Sequence, residues 1–197
     1  MLFRSRACYP VVSRDTSKLL ARMKPLLRVA EVSDASVASE LVQRTFNAFV
    51  APDWEPEARS VFMSQSSSER LSSIIREATF AAVAESKGRV VGFILLSPPN
   101  VLAFLFVHAH WHRRGIARDL WERACKHIEA EHPAIKTIEL NSSPYAIGAY
   151  KALGFYPISE PFRRGGCFAT RMACWLPGKA LNKAANAEVQ LGSSELD

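Results

Sequence analysis

Seven consecutive apolar residues, Val101-Leu-Ala-Phe-Leu-Phe-Val107, run straight into a basic segment, His108-Ala-His-Trp-His112-Arg113-Arg114-Gly115, which opens onto the amphipathic stretch Gly115–Glu131. The apolar run falls well short of the roughly 18 to 20 residues a membrane helix needs and reads as a buried strand. Ile116, Leu120, Ala124 and Ile128 recur once per turn and predict a helix packed on the sheet. A strand, a basic glycine-containing loop and a helix N-terminus together make an anion site. The first-turn N–H groups are unpaired, the helix dipole is positive there, and Gly115 lets an oxygen approach without a Cβ in the way. Arg113 and Arg114 would add charge for phosphates, although loop arginines are equally compatible with a solvated surface. The segment is neither GxxxxGK[ST] nor GxGxxG, so a nucleoside triphosphate or dinucleotide is not indicated.

The flanking pattern supplies the rest of a domain. Leu26–Glu31 reads as a strand, and Ser33-Asp34 as the cap of a helix with an apolar face of Val37, Leu41, Val42 and Phe46, ending near Val50. After the turn Pro52–Pro56 come two helical stretches, Glu57–Met63 and Glu69–Ala78. Thr79–Glu85 and Arg89–Ser97 are strands joined at Ser86-Lys-Gly88, and Pro98-Pro-Asn100 turns into Val101–Val107. Beyond the long helix come the strand Ile135–Leu140, the helix Pro144–Leu153, and the strands Phe155–Ile158 and Phe168–Trp175 around an Arg163–Gly166 loop. An antiparallel run, a β-α-β crossover and a closing hairpin predict one mixed α/β domain over residues 26–177.

Composition narrows the function classes. The chain is 48% hydrophobic and 22% charged, the balance of a globular protein rather than a disordered or membrane-spanning one. Arg4, Arg6, Arg14, Lys18 and Arg22 against Asp15 put +4 of the net charge of +6 into the first 22 residues. The remaining domain is too little charged for nucleic acid to be expected as a main partner. Residues 1–25 read as a basic extension, either a transit peptide or sequence upstream of a true start at Met23, the second being favoured. Residues 178–197 read as a flexible tail. Cys8, Cys125, Cys167 and Cys174 form no CxxC pair, so free thiols in a reducing, cytoplasmic setting are expected and structural zinc is not.

Two motifs in order then point to a family. His112-x-x-Gly115-x-Ala117 resembles the Gln/Arg-x-x-Gly-x-Gly/Ala motif of the GNAT acetyltransferases, with Val107 at the matching place upstream, and His112 departs from the usual Gln or Arg. Asn141, followed by a helix ending Tyr150-Lys-Ala-Leu-Gly154-Phe155, resembles the second half of the same fold. The resemblance covers roughly Leu26 to Trp175. It implies a mixed, mostly antiparallel sheet of about seven strands flanked by helices, with a splayed parallel pair forming a cleft for acetyl-CoA. In that reading Leu105, Phe106 and Val107 form the strand edge along the pantetheine. His112, Arg113, Arg114, Gly115, Ile116, Ala117 and Arg118 cradle the pyrophosphate, and Asn141 hydrogen-bonds the pantetheine arm. Tyr150 is the implied general acid for the departing thiolate.

The chemistry asks for an amine held near the carbonyl, a donor for the developing oxyanion and a proton for sulfur, with no covalent enzyme intermediate. Tyr150 is also consistent with plain packing, and Asn141 with a helix N-cap. His108, His110 and His112 would share one face only of an unbroken strand, so no metal is expected; His108, His110, Glu31 or Glu160 are candidate bases beside a water chain. The family places acceptor walls at the turn holding Asp53, Trp54, Glu55 and Glu57 and at Arg163–Gly166. The former would favour a cationic amine and the latter an acidic acceptor. The expectation is therefore an N-acetyltransferase acting on a small-molecule or peptide amine, with no membrane partner and a homodimer left open. The alternatives are a silent acyl-CoA-binding module and an acetyltransferase-like toxin acting on charged transfer RNA.

Overall fold

The computed structural model describes residues 24–176, and within them the chain builds eight strands and five helices around one sheet. The expectations for the extension before residue 24 and for the tail from 178 lie outside the described residues. Strands β1 (Leu26–Val29), β2 (Phe80–Ser86), β3 (Arg89–Ser97) and β4 (Val101–Val107) form an antiparallel run; β5 (Thr137–Ser142) joins β4 in parallel. β8 (Cys167–Trp175) pairs antiparallel with β5 and carries the short β6 (Tyr156–Pro157) and β7 (Phe162–Arg164). The eighth strand is the one correction to the strand list. Phe162–Arg164, read as part of a loop, pairs with β8, and only Gly165 and Gly166, both at positive φ, make the turn.

Both faces of β2 and β3 are covered, which explains why they read as nearly continuous apolar runs; β4, equally apolar in sequence, leaves Val101 and Ala103 exposed. Helix α4 (Ile116–Glu131) lies on one face with Ile116, Leu120, Ala124 and Ile128 buried against Ala82, Ala84, Ile94 and Leu96. Helices α1 (Ala35–Phe49) and α3 (Ser68–Glu77) cover the other face over Ala81, Val83, Phe93, Leu95 and Phe104. Helix α2 (Pro56–Gln65) sets Phe62 against this second cluster. Residues one apart along β2 and β3 thus feed opposite cores, as the period of a strand requires.

Small residues decide how closely helices approach. On α1 the buried set is Ala35, Ala38, Ser39, Leu41, Val42 and Phe46, whereas Val37, expected on the apolar face, is 46% exposed. The contact face turns toward the small side chains because they let α1 close on α3, and Ser39 Oγ donates to the Ser66 carbonyl at 2.7 Å. Gly92 plays the same part under α4: a Cβ there would stand 2.9 Å from Ile116 Cγ2, 3.1 Å from Leu120 Cδ1 and 3.2 Å from Ala84 Cβ.

The β1–α1 corner is tied electrostatically. Arg28 donates to both carboxylate oxygens of Asp34 at 2.7 Å and to Glu85 on β2 at 3.0 Å, and the Glu31 amide donates to Asp34 at 2.8 Å. Asp34, expected as a helix cap, makes no side-chain cap bond to α1. Its carboxylate is engaged by Arg28, whose hydrogen bonds hold it below the usual carboxylate range against the opposing effect of burial.

Two stability predictions follow from these contacts. Gly92→Ala is expected to cost about 1–3 kcal/mol by overpacking, measured by chemical denaturation. A carboxyl held low stabilises the fold above its unfolded pKa of about 4, and that contribution disappears as pH falls through the lower folded value. Asp34→Asn should therefore destabilise by roughly 1.5–3 kcal/mol at pH 7, and the gap to wild type should narrow in denaturation series run below pH 4.

Candidate active site

β4 and β5 meet at a single rung, Val101 opposite Glu139, where the Glu139 amide donates to the Asn100 carbonyl at 3.0 Å. The Asn100 side chain reaches across to the Thr137 carbonyl at 2.9 Å. Beyond that rung the strands part, leaving one side of β4 from Leu102 to Val107 without a strand partner while its other side pairs with β3. The His108 amide donates to Val91 on β3, and a trans peptide points its carbonyl opposite to its N–H, so the Val107 carbonyl faces the gap. Backbone groups of alternate strand residues share a side. Leu105 and Val107 therefore present theirs to the gap and Phe106 presents its own to β3. The sequence had read Asn100 only as part of a turn; the residue that sets the splay was missed because its partner lies 37 positions away.

A chain of free donors follows β4. Ala109–Trp111 forms one 3-10 turn that breaks the strand, so His108, His110 and His112 do not share a face. The His112 N–H is taken up by the Ala109 carbonyl, which removes it from the expected cradle. The N–H groups of Arg113 through Arg118 have no hydrogen-bond partner among the described residues, the first helical bond of α4 being Asp119 to Gly115. Gly115 sits at φ +81° with open space where a Cβ would be, and Arg113 adopts φ +61°. A non-glycine residue in that region costs about 1–2 kcal/mol, a strain typical of loops shaped around a ligand. Arg114 stacks over Trp111, 4.9 Å from its ring centre. Arg118 turns instead into a groove of about 420 Å³ between α4 and α5 (Ile147–Ala152), with Trp121, Cys125 and Leu153 among its walls. Such a row of free donors at a helix start favours an anion.

The departure at His112 retains a structural bond. Nε2 lies 2.7 Å from the Val107 carbonyl; a carbonyl only accepts, so Nε2 carries the hydrogen. The ring lies 5.1 Å from Phe49, the last residue of α1, and Phe49 stacks on Tyr145 of the loop after β5 at 5.2 Å and 19°. Phe49 thereby spans the mouth of the gap from one side to the other. His108 differs: its Nδ1 accepts from the His110 amide at 3.3 Å. Burial, followed by the charges of His110, Arg44 and His112, pushes its pKa down.

On the β5 side, Asn141 lies within the strand opposite Arg171 and is exposed, and Ser143 rather than Asn141 occupies the N-cap. The expected helix Pro144–Leu153 divides into a 3-10 turn, Pro144–Ala146, and α5. The motif Tyr150-x-x-x-Gly154-Phe155 is a helix stop. Phe155 N–H bonds to the Tyr150 carbonyl, Gly154 N–H to the Lys151 carbonyl, Gly154 takes φ +95°, and the Tyr150 and Phe155 rings meet edge to face at 5.6 Å. Trp121 Nε1 fixes this stop to α4 through the Leu153 carbonyl at 3.1 Å. Tyr150 is half-buried against the core, and burial pushes its pKa up to about 12.

The α1–α2 turn is fastened to the β7–β8 hairpin. Glu55 and Arg163 form an ion pair, and the Glu55 amide donates to the Gly166 carbonyl at 3.0 Å. A Cβ at Gly166 would strike Glu55 Oε2 at 2.7 Å, so glycine is required there both by contact and by φ +81°. The two rival charge preferences read from these loops thus cancel at their point of contact. Trp54 packs edge-on to Phe46 and Phe62, its buried Nε1 unpartnered. Glu31 is engaged in a capping box with Asp34, far along the chain from β4. Cys125 and Cys174 have thiols pushed up by burial to about 12 and about 11, which suits packing rather than nucleophilic duty. No helix among the described residues is long and apolar enough to cross a membrane.

Residues 50–176 match the family model described as Acetyltransferase (GNAT) domain. Among solved structures, a GCN5-related N-acetyltransferase from Rhodopseudomonas palustris superposes with a TM-score of 0.66 at 18% identity, covering 78% of this chain and 97% of its own. The PaiA N-acetyltransferase from Thermoplasma acidophilum, in complex with coenzyme A, does so with a TM-score of 0.65 at 17% identity, covering 78% and 99%. The ribosomal-protein-S18-alanine N-acetyltransferase from Escherichia coli gives 0.53 at 20% identity, covering 81% and 98%. At these identities the likeness is one of fold. No curated protein sequence matches the chain.

Proposed function

Because this chain belongs to the GNAT acetyltransferase family, we propose that it moves an acetyl group from acetyl-CoA to an amine of a small molecule or peptide by direct attack. The observation that carries the reading is the join between the β4–β5 gap and the free donors of Arg113 to Arg118. An extended amide-bearing arm ending in a diphosphate fits a strand edge that leads into a phosphate cradle. The backbone of Leu105 and Val107 would pair with the arm, with Phe106 held between them. The loop amides from Arg113 through Gly115, Ile116, Ala117 and Arg118 would hold the phosphates, aided by the Arg113 side chain. His112, whose N–H is taken by Ala109, braces the loop through its ring's bond to the Val107 carbonyl. Asn141, exposed on the facing strand, is the proposed side-chain contact to the arm. Acetyl-CoA when bound supplies the activated acyl group; the protein's part is to orient it, offer the Val107 N–H to the carbonyl oxygen and handle protons.

Tyr150 is the proposed proton source for sulfur. With a pKa pushed up to about 12 its hydroxyl stays protonated across the physiological range. As the C–S bond breaks, the Tyr150 proton passes to sulfur, and solvent reprotonates the phenolate. The setting we propose is cytoplasmic, with an amine acceptor and no nucleic-acid partner.

Gly115→Glu should abolish acetyl-CoA binding in calorimetric titration, since it sets a carboxylate among the donors; its positive φ adds about 1–2 kcal/mol of backbone strain, and a melting curve of the variant shows that it is folded. Unchanged affinity would remove the phosphate assignment. Tyr150→Phe should lower kcat by roughly 10²-fold in a thiol-release assay while leaving acetyl-CoA affinity near wild type; equal losses in both would reduce the residue to packing, and binding without release from wild type would favour the silent module.

A further inference from the structure

We propose that His112, the residue at which this chain departs from the family's Gln or Arg, is the base that accepts the amine proton. The inference rests on the acetyl-transfer reading above and concerns the same site. A base at this position needs an unprotonated nitrogen, a fixed ring and access to the gap, and the geometry supplies each. The Val107 carbonyl holds Nε2–H at 2.7 Å, so in the neutral ring the lone pair lies on Nδ1. Contact with Phe49, itself stacked on Tyr145, fixes the ring at the mouth of the gap. The carbonyl that orients it belongs to the residue whose N–H faces the same gap.

Of the other candidates, His108 and Glu31 are otherwise engaged, and His110 and Glu160 are exposed. His108 Nδ1 accepts from the His110 amide, so in the neutral ring Nε2 carries the hydrogen. Glu55 is paired with Arg163, Glu139 with Arg171, and Asp34 and Glu85 with Arg28. The titratable and charged groups around His112 are His108, His110, Arg113 and Arg114 on its own loop, Arg44 on α1 and Tyr145 after β5. In the step, His112 Nδ1 takes the N–H proton, directly or through one water, as the nitrogen lone pair forms the C–N bond. Tyr150 gives its proton to the sulfur that leaves with the C–S electron pair, and solvent restores both residues.

Glutamine at 112 separates the two duties of the ring. Its amide N–H can still donate to Val107, but it has no basic nitrogen. The test compares wild type with His112→Gln in the full chain. Calorimetry reads acetyl-CoA affinity, and nitrogen NMR of labelled histidine, assigned by the signal lost in the variant, reads the tautomer. Thiol release is followed from pH 5.5 to 9 with 2-phenylethylamine, spermidine and lysine methyl ester as acceptors, and with water alone. The expected result is an Nε2–H tautomer for His112, acetyl-CoA affinity in the variant within roughly twofold of wild type, and kcat lower by about 10²-fold or more. The acidic limb of the wild-type profile should have its midpoint at the NMR titration of His112 and be absent from the variant. An Nδ1–H tautomer, or a variant with wild-type rate and profile, overturns the base. Wild type that binds acetyl-CoA but releases no thiol with any acceptor or with water overturns it too, whereas failure of acetyl-CoA to bind overturns the transferase reading beneath it.

Discussion

One rung of parallel pairing, Val101 against Glu139, is the constraint on which the site depends. Two strands that start together and then diverge leave backbone donors and acceptors inside the fold without partners, a cost that sheets ordinarily avoid. Here Asn100 closes the junction on both sides, accepting through its carbonyl and donating through its side chain. Above it, α4 and β3 hold β4 while β8 holds β5, so the gap persists as a property of the sheet. A free strand edge within a protein is a template for an extended ligand, and the cradle at its end suits an anion.

The residues that give the gap its chemistry come from distant parts of the chain. Phe49 ends a helix, His112 follows β4 and Tyr145 follows β5, yet their rings are in contact. Glu55 and Arg163 fasten a second pair of loops, the α1–α2 turn to the β7–β8 hairpin, and neutralise each other. The substitution of histidine at 112 is compatible with the loop because its Nε2–H can donate to the Val107 carbonyl; in that tautomer the second nitrogen carries the lone pair.

Much of this was legible beforehand, and the errors share a cause. The helix Gly115–Glu131 and the strands β2 to β4 were read within a residue or two because each carries a long, regular apolar pattern. Phe162–Arg164 was not, since three residues hold no period and are a strand only by virtue of β8 beside them. Val37 was assigned inward by hydrophobicity, whereas α1 turned its small residues to the core so as to approach α3. Asn141 as a helix cap failed because β5 continues through Ser142 and the cap falls to Ser143.

By itself the sequence determined the row of free amides at the start of α4 and the helix stop at Gly154, because both are built from neighbours along the chain: glycines that accept positive φ and amides left over at a helix start. It also determined the two-sided sheet, through the apolar runs. Only the tertiary structure decided where β4 and β5 part, which imidazole keeps a free nitrogen and which carboxylates are already paired. Those outcomes depend on hydrogen bonds and ion pairs between segments that no local period connects, and a side chain's chemistry is settled by the partner it meets.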